Sequence, residues 1–163
     1  MNWRSLFFSF RGRVNRAKYW LALLIILIVS AVLRVIRIIV EYNWDVVGEQ
    51  DMADSVAGLV TLAVITLVVL AVSLTCLVAG LALATKRLHD RDKSAWWLLV
   101  FYLLPSVLGV VGAGVSMATE SWLAFMLLGA VAVVISIWAF IELGCLRGTP
   151  GANQYGPDPL ANS

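Results

Sequence analysis

Charge is scarce in this sequence. Asp, Glu, Lys and Arg make up 13% of its 163 residues, against about a quarter in soluble domains. Histidine occurs once and cysteine twice. One histidine and two cysteines do not make a metal site, so no metal or cofactor is expected. Cys76 and Cys145 both fall inside apolar runs, which argues against a secreted disulfide framework and for small apolar core residues. No internal repeat and no low-complexity tract stands out. The second and third long apolar runs hold no charge at all, so they lack the midplane coupling site of an ion-driven transporter.

What is abundant is apolar surface. Hydrophobic residues make up 61% of the chain and the mean hydropathy is +0.92. Uncharged runs exceed the roughly 18 residues that mark a membrane span. A soluble core of this size cannot hide so much apolar surface, so the bilayer has to act as solvent. The expected fold class is an all-α integral membrane protein, with four transmembrane helices and a short N-terminal amphipathic segment in a single membrane domain, 1–163.

Residues 1–18 place Trp3, Leu6, Phe7 and Phe10 at helical spacing, with Arg4, Arg11, Arg13, Arg16 and Lys18 among them. That mixture suits a segment lying among lipid headgroups. The first span runs over about 19–40 and is too long for a cleavable signal. Tyr19 and Trp20 stand where an interfacial aromatic belt belongs. Arg34 and Arg37 near its far end share a face with Glu41 and are expected to snorkel to water and pair with Glu41 or the next loop. Residues 41–54 form an acidic loop with Glu41, Asp45, Glu49, Asp51 and Asp54, and Asp54 or Ser55 is placed to cap the next helix.

The second span, 56–85, is the longest uncharged run. Gly80 and Ala84 offer a small-residue contact to a neighbouring helix. A charged island follows, from Lys86 to Trp97. The third span covers about 95–115, with Ser94 as its N-cap, a kink expected at Pro105, and Gly109, Gly112 and Gly114 softening its second half. The fourth covers 122–146. The tail, 147–163, is dense in Gly, Pro and Asn, which specifies turns.

Charge distribution sets the topology. The N-terminal segment carries five Lys/Arg, the island four and the tail one, whereas the two loops on the opposite side carry none. The positive-inside rule then places both termini and the island in the cytoplasm. All the polar motifs meet at one membrane face. Glu142 lies about one turn inside the end of the fourth span, too deep to stay unpaired, and Arg87 or Arg16 is its expected partner.

Three motifs carry a resemblance: Phe10-Arg11-Gly12-Arg13-Val14-Asn15-Arg16-Ala17-Lys18-Tyr19-Trp20; Lys86-Arg87-Leu88-His89-Asp90 with Ser94 and Trp96-Trp97; and Gly151-Ala152-Asn153-Gln154-Tyr155-Gly156. In this order the chain resembles the YhaH-like bacterial membrane proteins, the domain of unknown function 805 family. Lys86 stands where the family usually has Arg, and Ala95 where it usually has Gly. The resemblance implies an inner-membrane location and no particular activity.

The candidate site is thus a cytoplasmic polar cluster of Arg13, Arg16, Tyr19, Trp20, Arg87, His89, Asp90, Ser94, Trp97, Glu142, Asn153, Tyr155 and Gly156. Counting the terminal segments and the island, ten basic residues face Asp90, Asp92 and Asp158. Such a surplus suits anionic lipid headgroups or a partner membrane protein. The expected function is non-enzymatic: the cluster orders the helices and binds anionic lipid, a partner or a second copy of the chain, with no nucleic-acid partner. The alternative is a small oligomeric transporter or channel with Glu142 as its functional acid. His89-Asp90 and Ser94 offer acid–base and nucleophile residue types, but adjacent residues rarely face one another.

Overall fold

The computed structural model describes residues 3–47 and 56–161. Among these there is no strand, only one isolated antiparallel bridge between Asn153 and Gly156. Helix α1 is Trp3–Phe8, α2 is Arg16–Val47 and α3 is Val56–Asp90. A π-helical turn, Leu99–Leu103, leads into α4, Leu104–Thr119. Helix α5, Leu123–Phe140, ends in a second π turn, Ile141–Cys145. Four stretches are long and apolar enough to cross a membrane: Arg16–Val40, Gly58–Asp90, Leu99–Thr119 and Leu123–Cys145. The protein is an all-α membrane protein of four spans. At 1.5 Å per residue α3 is ~50 Å long, well beyond a ~30 Å hydrocarbon layer, so its ends project.

Several expectations change. Helix α2 continues to Val47, so the first part of the supposed acidic loop is helical; the caps expected at Asp54 or Ser55 lie outside the described residues. Lys86–Asp90 are the last turn of α3. The third span starts slightly later than Ala95 because residues 95–96 form a turn and helix begins at Trp97, where the Ser94 carbonyl, rather than its hydroxyl, accepts from Trp97 N–H at 3.3 Å. The missing N–H of Pro105 is absorbed by the π turn just before it, where Leu104 N–H reaches back to Leu99 O. Cys145 is exposed and Cys76 half-buried, so neither is a core residue. Of the three glycines in α4, Gly112 packs: a Cβ there would lie 3.2 Å from Phe125 Cα, whereas Gly109 and Gly114 have open space. A Cβ at Gly80 would meet open space, whereas Ala79, Ala82 and Ala84 are buried small residues of α3. In α1, Leu6 is buried, Trp3 stacks on Phe7, and Phe10 falls beyond the helix.

The chain divides into two compact units, one of Met1–Trp20 with Leu81–Ser163 and the other Leu21–Gly80. Buried ionisable side chains (Lys86, Arg87, Asp90 and Glu142) belong to the first.

Candidate functional site

The site grows from helix ends. A helix C-terminus leaves about four carbonyls without intrahelical donors and carries partial negative charge. Helix α3 closes with Asp92 at φ 56°. Lys93 N–H donates to Leu88 O at 2.9 Å and Asp92 N–H to His89 O at 3.1 Å. This is a Schellman closure with aspartate in the left-handed position that glycine usually takes. At the end of α5, side chains supply the missing donors. Arg87 Nε donates to Leu143 O at 2.7 Å, Trp20 Nε1 to Gly144 O at 3.1 Å and Arg16 to Cys145 O at 3.0 Å. Arg87 also donates to Leu146 O, and Arg91 to Arg147 O at 2.6 Å. Five consecutive carbonyls are thereby capped by three arginines and a tryptophan. At the end of α1, Lys86 Nζ donates to Ser5 O at 2.7 Å and to Leu6 O. A compact ammonium fits converging carbonyls without the planar fork of arginine.

Asp90 is the hub. Its carboxylate pairs with Arg87, three residues back on α3, and with Arg13, 3.0 Å away. The side chains of Arg13, Arg87 and Asp90 are 1%, 0% and 4% exposed, so the pairing is shielded from water. Two cations around one carboxylate leave a surplus positive charge. The carbonyls at the helix ends and in the tail compensate it. Arg13 also donates to Thr149 O at 2.6 Å and to Gly151 O at 2.6 Å. No buried side-chain N or O among the described residues lacks a hydrogen-bond partner. This meets the demanding condition for burying such a network: an unpaired member would cost more than an apolar replacement.

The tail docks on the same residues. Thr149 N–H and hydroxyl both donate to Asp90 O, at 2.8 and 3.2 Å. Asn153 Nδ2 donates to His89 O at 2.8 Å, and its Oδ1 accepts from Tyr155 N–H at 2.9 Å. Asn153 and Gly156 exchange backbone hydrogen bonds at 3.1 Å. The Tyr155 ring lies flat on His89, 3.8 Å between centroids and 4° from parallel, while His89 Nδ1 sits 3.3 Å from Gly12 O. Asp158 accepts from Leu160 N–H and Gly151 N–H, which hold its carboxyl below the usual aspartate value. Two glycines make the docking possible. A Cβ at Gly148 would overlap the Asp90 carboxylate, and one at Gly144 would lie 2.6 Å from Trp20 Cζ2.

Glu142, 3% exposed, is paired differently from expectation. Its partners are Arg91 at 3.0 Å and Lys93 at 2.9 Å. Arg87 and Arg16 are turned to the carbonyls just beyond it. Lys93 also lies over the Trp97 ring, 5.0 Å from its centroid, and Trp97 meets Trp138 edge to face. Tyr19 is buried beside Trp20 and hydrogen-bonds to Tyr102. Of the thirteen expected residues, Ser94 alone stays outside these contacts. Reading the sequence missed Lys86, Arg91, Lys93, Gly144, Gly148 and Thr149. The first three carried a readable signal, since cations in and just past the last turn of a helix complement its dipole.

A family model described as protein of unknown function (DUF805) matches residues 7–157, a stretch that takes in the Asp90 hub, the Glu142 pairs and the tail as far as Gly156. The chain belongs to this family. It is 30% identical to the inner membrane protein YhaI of Escherichia coli (strain K12) over 155 residues, 95% of this chain and 89% of that protein. It is 27% identical to the inner membrane protein YhaH of the same organism over 151 residues, 93% of this chain and 87% of that protein. No solved structure matches. With four spans and inner-membrane relatives, this is a multi-pass inner-membrane protein.

Proposed function

We propose that the protein is a non-catalytic inner-membrane module whose polar cap faces the cytoplasm, locks the helix ends together and binds anionic lipid headgroups. One observation carries the binding part. Every carboxylate in the cap is engaged: Asp90 by Arg13 and Arg87, Glu142 by Arg91 and Lys93, Asp92 by Gln154, and Asp158 by backbone N–H groups. Among the described residues, Arg4, Arg11, Arg16 and Lys18 have no carboxylate partner, and they are exposed. They alternate with the exposed rings of Trp3, Phe8, Phe10 and Trp20. A basic segment interleaved with aromatics, held in place by Lys86 and Arg13, suits the headgroup layer of an anionic leaflet. The positive-inside rule supports the cytoplasmic orientation. Glu142, clamped by two cations, fits a lock better than a transport pathway.

The test is electron spin resonance of spin-labelled lipids around the full chain in bilayers. Labelled phosphatidylglycerol should be enriched over labelled phosphatidylcholine, less so in high salt, and the enrichment should fall several-fold in Arg4→Gln/Arg11→Gln/Lys18→Gln, at ~1 kcal/mol per basic residue. Equal enrichment in the wild type and the triple variant would refute the proposal.

A further inference from the structure

The unit Leu21–Gly80 holds a cleft that the cap does not use. Its volume is about 460 Å³, and its lining includes Leu33, Arg34, Arg37, Val69, Ser73 and Cys76. An adjoining cleft of about 480 Å³ shares Arg37, Val69 and Ser73 and continues along Leu62, Ile65 and Thr66. Two arginines thus border a long, mostly apolar cleft formed by α2 and α3. No Asp or Glu occurs in residues 21–40 or 58–80. Glu41, four residues beyond Arg37, is the nearest acid in sequence. Arg34 and Arg37 are the only charged residues in the sequence of 21–40 and 58–80.

We propose that this cleft binds one anionic phospholipid, with its phosphate on Arg34 and Arg37 and an acyl chain running inward along Leu33, Ile26 and Leu77. Arg34 and Arg37 lie six and three residues inside the end of the span at Val40, within ~10 Å of it at 1.5 Å per residue. Long arginine side chains from that depth reach the phosphate layer. Two guanidiniums at i, i+3 share a helix face and can direct parallel N–H donors at phosphate oxygens. The apolar walls give an acyl chain a shape to fill that a hydrated inorganic phosphate has no use for. This site is independent of the cap, and either proposal can fail alone.

The test is native mass spectrometry of the full chain, stripped of lipid in detergent and titrated with phosphatidylglycerol or phosphatidylethanolamine. The wild type should retain one tightly held phosphatidylglycerol that Arg34→Gln/Arg37→Gln binds roughly tenfold or more weakly. Ser73→Leu, which keeps both charges but fills the cleft, should weaken binding as well, and Arg34→Lys/Arg37→Lys, which keeps the charge but loses the planar fork, should bind more weakly than the wild type and more tightly than the double Gln variant. Three results would overturn the proposal: unchanged retention in the double Gln variant; equal retention of the two lipids; or a co-purifying membrane protein, lost in the double variant, in place of lipid. If the double Gln variant does not insert, Ser73→Leu decides alone, and wild-type retention there refutes the site.

Discussion

The two units solve opposite problems with the same helices. In Leu21–Gly80, large apolar side chains such as Leu24, Leu27, Leu67 and Leu70 stand about half exposed, and few residues are buried beyond Ala22 and Ala79. Their environment is lipid, which is as apolar as they are, so one such contact decides little. In the other unit, at the polar ends of α3 and α5, the buried residues include Lys86, Arg87, Asp90 and Glu142, and each meets specific partners. Hydropathy makes Leu21–Gly80 membrane-spanning without choosing a partner for each side chain. Within the other unit the cap does choose partners, because each charge removed leaves another one buried.

That contrast can be broken most forcefully at Arg87. Arg87→Ala removes the ion pair with Asp90 and uncaps Leu143 and Leu146, and should cost ~3–5 kcal/mol, read as a fall in unfolding free energy in mixed micelles. A smaller loss is expected from Gly148→Ala, because a methyl group there overlaps the Asp90 carboxylate; overpacking of this kind costs about 1–3 kcal/mol. Its signature is earlier proteolysis of the tail, since Thr149 can no longer reach Asp90 O. Tyr155→Ala loses the stack on His89 and should destabilise tail docking by ~1 kcal/mol, seen as faster amide exchange over 149–156. At the other extreme, Leu67→Ala changes a residue 63% exposed and should shift stability by under ~0.5 kcal/mol. A Leu67 effect equal to that of Gly148 would erase the distinction between the units.

Acid should loosen the tail in a defined sense. The Asp158 carboxyl lies below its ordinary value when the tail is folded, because two backbone N–H groups favour its charged form. Its contribution is therefore complete above the ordinary aspartate range and is lost as pH falls through the lowered value. Protection factors at Gly151 and Leu160, which correct exchange for its intrinsic pH dependence, should fall over that acidic window and stay flat around neutrality.

The spans and the meeting of the three motifs were legible because they rest on long-range averages: apolar runs of bilayer length, and the placement of ten basic residues in three segments. The partners of Glu142 were not. A π turn over Ile141–Cys145 rotates the last residues of α5 away from the 3.6-residue phase, and no residue type there announces it. The Arg87–Asp90 pair was missed because Arg87 was assigned to Glu142, and the carbonyls of 143–147 that share the arginines belong to the backbone and leave no mark in composition. Gly144 and Gly148 read as ordinary turn glycines; only Trp20 and Asp90, distant in sequence, make them necessary.

The most direct measurement is a double-mutant cycle on Arg13 and Asp90, using unfolding free energies of the wild type, Arg13→Ala, Asp90→Ala and the double variant. If the cap is one coupled lock, the two losses overlap, with a coupling of at least ~1 kcal/mol, as for residues in one network. Losses that add to within ~0.3 kcal/mol, the behaviour of independent sites, would mean that the arginine and the aspartate act separately and that the lock does not exist.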